Sequence, residues 1–61
     1  MEAYEQLKKI VMECEDDVQK AVGGNKSAQT RVRKTMQEVK GVAQQIRESM
    51  LQIQKKQEEG A

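Results

Sequence analysis

Sixty-one residues carry 11 basic and 10 acidic side chains, net charge +1, with no histidine, one cysteine, and neither Phe nor Trp. A single cysteine excludes an internal disulfide, a zinc site lacks its ligands, and a general acid–base pair has no imidazole to draw on. One small domain is the most this length allows, and folding buries only about 60% of its unfolded surface, so a second subunit is the remaining source of stability.

Proline is absent and glycine is confined to Gly23, Gly24, Gly41 and Gly60. Together with abundant Ala, Glu, Gln, Lys, Arg and Met, this is a helix-forming composition. From the N-terminus, Tyr4, Leu7, Val11, Cys14, Val18 and Ala21 alternate steps of three and four. These are the a and d positions of a heptad, and they predict a helix over about 2–22. Gly23-Gly24-Asn25-Lys26-Ser27 follows. Glycine ends a helix in the left-handed conformation, and Asn25 or Ser27 caps the next one, which places a turn at 23–26.

The heptad resumes at Val32, Met36, Val39, Ala43, Ile46, Met50 and Ile53, predicting a longer helix over about 26–57. The expected fold is all-α: an antiparallel helical hairpin with coiled-coil-like heptads, one domain spanning 1–61. Folding at the glycines sets Cys14 near Met36, Leu7 near Ala43 and Tyr4 near Ile46. Met50 and Ile53 then overhang without a partner. The g positions Ala3, Ile10, Ala28, Thr35, Val42 and Ser49 are small or apolar and lie along one uncharged flank. That flank and the apolar end predict a homodimer in a four-helix arrangement, with Met12 and Leu51 joining the contact.

Charge is unevenly placed. Residues 1–22 hold three lysines against six carboxylates, net −3; residues 23–47 hold six cations against Glu38, net +5. Lys26, Arg33, Lys40 and Arg47 recur every seven residues, so they line one edge of the second helix at intervals of roughly 10 Å. Arg31 and Lys34 stand beside them, near a helix start whose partial positive charge favours acids. A phosphate completes such a site. The competing expectation is a solvated coiled-coil flank, with Glu15 pairing to Arg33 and the neighbouring acids neutralising the turn. Lys8 beside Lys40 is then a like-charge contact.

The glycine turn lacks the Gly-Lys-Ser/Thr order and preceding strand of a P-loop, which excludes nucleotide hydrolysis. Cys14, on the apolar seam, is expected to be a small buried hydrophobe. Gly41 is exposed in mid-helix at a cost of about 1 kcal/mol, and its neighbours assign it no role. No catalytic set, metal site, cofactor or small-molecule substrate is expected. No apolar run reaches the ~18 residues of a membrane span and no signal peptide opens the chain, so with its free thiol a reducing, cytoplasmic compartment is expected.

Gly24-Asn25-Lys26-Ser27-Ala28-Gln29-Thr30-Arg31-Val32-Arg33-Lys34 resembles the signature stretch of the bacterial histone H1-like Hc1 family, Gly-Asn-Lys-Ala-Ala-x-x-Arg-x-Arg. Serine stands at position 27 in place of alanine. The likeness runs over roughly residues 4–55, including the Met36-Gln37-x-x-Lys40 continuation. It implies a small nucleoid-associated protein that compacts double-stranded DNA with little sequence preference. Carried over, Asn25, Lys26, Arg31, Arg33 and Lys34 are the implied DNA contacts, to which the basic row adds Lys40 and Arg47. Chlamydial members add a Lys/Ala-rich tail, whereas this chain ends at Gln57-Glu58-Glu59-Gly60-Ala61, so binding is expected from the folded part and its dimer. Two alternatives stand beside this reading: a helical adaptor for another protein, and an RNA-binding protein.

Overall fold

A computed structural model describes residues 1–60, with residues 58–60 described by their backbone alone. It is all-helical: α1 spans Glu2–Glu13, α2 Glu15–Val22 and α3 Lys26–Gly60. At about 1.5 Å per residue the 35 residues of α3 account for the 53 Å long dimension of the molecule. Both shorter helices pack on α3, which folds back beside them.

The reversal is built from backbone hydrogen bonds. Asn25 N–H donates to the Lys20 carbonyl at 3.0 Å and Gly24 N–H to the Ala21 carbonyl at 3.1 Å, with Gly24 at φ +104°. This is the Schellman arrangement, in which a left-handed residue lets the chain satisfy the last carbonyls of a helix. Asn25 then starts α3: its side-chain oxygen accepts the Ala28 N–H at 3.0 Å. Of the two expected caps, Asn25 is therefore the one used. Gln29 adds a clasp across the turn, donating its Nε2–H to the Ala21 carbonyl at 3.1 Å.

The expected single helix over 2–22 is divided at Cys14, whose φ −91° and ψ −2° flatten the backbone for one residue. Helical bonding continues through it, from Cys14 N–H to the Ile10 carbonyl and from Val18 N–H to the Cys14 carbonyl. The Cys14 thiol donates to the Val11 carbonyl at 3.3 Å, a local bond that competes with regular helix geometry.

The seam differs from the expected one. On α1 and α2 the buried or half-buried residues are Ala3, Leu7, Ile10, Cys14, Asp17 and Ala21. On α3 they include Ala28, Val32, Thr35, Val39, Val42, Ile46 and Ser49. Both series step by four and three, yet they are the d and g positions, not a and d. Small residues explain the choice. Ala28, at 0% exposure, Cys14 and Val42 form the buried core, and their size lets two backbones approach closely. Thr35 sits in this seam because its hydroxyl donates to the Arg31 carbonyl of its own helix at 2.9 Å. The uncharged g flank, expected to be open to a second copy, is thus inside the chain's own interface.

Apart from half-buried Ala43, the displaced a positions remain in solvent. Tyr4, Val11, Met36 and Met50 are each 42–51% exposed and Val18 is 37% exposed. Cys14 and Met36, expected to lie near each other, both line a shallow groove with Val11, Val18 and Val39. The overhang is real: Met50, Leu51 and Ile53 are about half exposed or more.

A Cβ added at Gly41 meets nothing within 4 Å. Gly41→Ala is therefore expected to raise stability by about 1 kcal/mol through helix propensity alone. Thermal or urea unfolding followed by circular dichroism measures it, and a loss of stability would show that a contact requires the glycine.

Candidate nucleic-acid interface

On a seven-residue helical repeat the e position lies next to a and on the side away from g. Turning the seam toward d and g therefore turns the e edge outward. Lys26, Arg33, Lys40 and Arg47 occupy that edge of α3, and all four are exposed. Among the described residues none of them lies within ion-pair distance of a carboxylate; the pairs present are Lys8 with Glu5 and Arg31 with Asp17. The first turn of α3 contains no acid. The row is thus a continuous, unneutralised edge on one rigid helix.

The expected Glu15–Arg33 pair does not form. Asp17 takes the structural role and Arg31 is its partner. The guanidinium donates from Nε to one carboxylate oxygen at 3.1 Å and from its terminal nitrogen to the other at 3.0 Å. The rotated seam is the cause: Asp17 is a g residue drawn in toward α3, while Glu15 and Arg33 are e residues carried outward. Lys8, expected as a like charge beside Lys40, has partners on its own helix. Its ammonium lies 3.7 Å from the Glu5 carboxylate and 5.7 Å from the centre of the Tyr4 ring.

The Arg31 hydrogen bond, reinforced by its charge, lowers the Asp17 pKa below the ordinary 3.8, and Asp17 in turn raises that of Arg31. A depressed carboxylate stabilises the fold above its unfolded pKa and ceases to do so as pH falls through the folded value. Asp17→Asn is expected to be less stable than the native chain at pH 7, and the gap is expected to close between pH 4 and pH 2. Unfolding curves at those pH values test it; a gap that persists at pH 2 would mean the pair acts through something other than charge.

Of the seven residues singled out from the sequence, all are exposed, but they are not equivalent. Lys26, Arg33, Lys40 and Arg47 share the e edge. Lys34 stands at the adjoining f position. Arg31, one of the implied DNA contacts, is bound to Asp17. Asn25 has its side-chain oxygen in the helix cap, leaving only its amide donors for a ligand. The Asp17–Arg31 clasp was the functional detail that sequence reasoning missed. The available signal was that Asp17 falls on the otherwise uncharged g flank, where an acid needs a partner.

An exposed cationic edge on an all-helical chain is common enough to leave the family open. Residues 1–56 match the family model described as histone H1-like protein Hc1. The chain belongs to the histone H1-like Hc1 family. This is a family of structural DNA-binding proteins, not of enzymes. No curated protein and no solved structure matches the sequence. The Hc1 match takes in the turn, the clasp and the whole basic row, and none of the described helices is long and apolar enough to cross a membrane.

Proposed function

We propose that this Hc1-family chain is a nucleoid-associated protein that binds the phosphate backbone of double-stranded DNA through α3, and that a homodimer of its helical hairpins bridges or compacts the duplex. The observation that carries the proposal is the four-cation edge of α3, exposed and without an acidic partner among the described residues. Lys34 extends it, Asn25 offers its amide donors, and Arg31 contributes in so far as a phosphate competes with Asp17.

Contacts to phosphate position a protein without reading sequence. Single-strand binding relies on aromatic stacking, and the sole aromatic here is Tyr4, on the other arm of the fold. With four to six phosphate contacts the logarithm of affinity is expected to fall with the logarithm of salt at a slope of about −4 to −5. A gel shift with duplex DNA at 50 and 200 mM salt tests the proposal, with two unrelated sequences bound alike. No retardation at 50 mM would leave the helical adaptor as the better reading, and a preference for duplex RNA of equal length would favour the RNA-binding one. The proposed location is the nucleoid.

A further inference from the structure

The large side chains of the a-position stripe stay exposed when α1 and α2 pack on α3. Val11 and Val18 on one arm and Met36 on the other line one groove, and Tyr4 and Met50 continue the same heptad position toward the open end of the hairpin. Two adjacent heptad stripes, d with g and then a, are more than a two-helix seam uses. Overall exposure says the same: the chain leaves 5274 Å² accessible, against about 4,000 Å² for a compact monomer of this mass. A standard interface covers about 800 Å² per partner, within that excess of roughly 1,200 Å².

Charge then selects the occupant and its orientation. The stripe is bordered on the α3 side by the row Lys26, Arg33, Lys40 and Arg47. On the α1–α2 side the equivalent e positions are Met1, Lys8, Glu15 and Val22, of which Glu15 lines the groove itself. Two copies stacked α3 upon α3 would bring two rows of four cations together. Stacked α3 upon α1–α2, the row meets a border with one acid, one base and two apolar residues. The second arrangement has a two-fold axis parallel to the helices and makes every neighbouring pair of helices antiparallel.

We infer that the a stripe is the self-association face, covered by a second copy of this chain whose acidic α1–α2 arm lies over α3, with the basic row left at the rim. This deepens the dimer reading above and rests on it; it does not depend on DNA binding. Because only Glu15 on the opposing border is acidic, the row stays largely unneutralised in the dimer.

Sedimentation equilibrium in the absence of nucleic acid tests the face. The native chain is expected to dimerise, and Met36→Asp, at a site 42% exposed within one copy, to raise the dissociation constant by about 30-fold or more. Gln45→Glu, on the opposite side of α3, is expected to leave it unchanged. In the native chain, where no variant can misfold, Met36 is expected to resist peroxide oxidation as concentration rises through the dimer range. Arg33→Glu tests the orientation: facing the α1–α2 border with its Glu15 it is expected to weaken association at low salt, whereas two basic rows stacked α3 upon α3 would be relieved by it. A monomer at all concentrations, an unaffected Met36→Asp dimer, or equal loss from Gln45→Glu would overturn the face; a tighter Arg33→Glu dimer would overturn the orientation. Duplex binding is read separately by gel shift, so either reading can fail alone.

Discussion

Replacing Lys26, Arg33, Lys40 and Arg47 together by glutamine is expected to reduce duplex-DNA affinity by three to four orders of magnitude at about 0.1 M salt, while leaving the helices intact. The magnitude follows from counterion release. Each lost phosphate contact removes about 0.9 from the salt slope, which is roughly eightfold in affinity on going from 1 M to 0.1 M. Four contacts multiply to several thousandfold, and the slope itself should flatten by about 3.6. Glutamine keeps the helix propensity of lysine and arginine, and all four positions are exposed, so circular dichroism should be unchanged. Replacing Lys34 alone should cost about eightfold for every sequence. Replacing Arg31 alone should cost less, because its guanidinium must first leave Asp17. Full binding by the fourfold variant would remove α3 as the DNA surface.

Val42→Asp is expected to abolish the fold at neutral pH. Val42 is 5% exposed on the seam between the arms, close to the middle of α3. A chain of this size has a net stability of only about 3–9 kcal/mol. A carboxylate buried there without a partner costs several kcal/mol beyond the lost apolar contacts. Far-ultraviolet circular dichroism should show loss of the helical signal, whereas Gln45→Asp, three residues on and exposed, should retain it. A helical Val42→Asp chain with native stability would mean that the d and g seam does not hold the two arms together. Ala28, fully buried near the turn, gives the same seam a second test: a larger side chain there must push the helices apart.

Both outcomes turn on which stripe of each helix faces inward, and that was only partly legible in the sequence. The helices themselves were: steps of three and four, with no proline and glycine doubled only at 23–24, leave no other regular structure. The turn was legible for the same local reason, since a Schellman ending and an Asn cap involve residues at most five apart in the chain. So was the basic row, because a seven-residue spacing aligns side chains on any helix. The family was legible too, its signature stretch spanning the turn and the start of α3.

What the order of residues could not decide was the choice between two overlapping apolar stripes. Tyr4, Val11, Val18, Met36 and Met50 form one with the d residues; Ala3, Ile10, Ala28, Thr35 and Val42 form another. Larger side chains make the first the stronger signal along the chain, yet the second packs, because small residues facing one another across two helices bring the backbones close. That is a relation between positions remote in sequence, and it exists only once the chain has folded back. The ion pair follows from it: Asp17 reaches Arg31 because the g flank turned in, and Arg33 is left in solvent because the e edge turned out. Sequence alone settled that this chain is a helical Hc1-family protein with its cations in line. Tertiary packing settled which of those cations stand without an acidic partner among the described residues and which apolar stripe is left exposed.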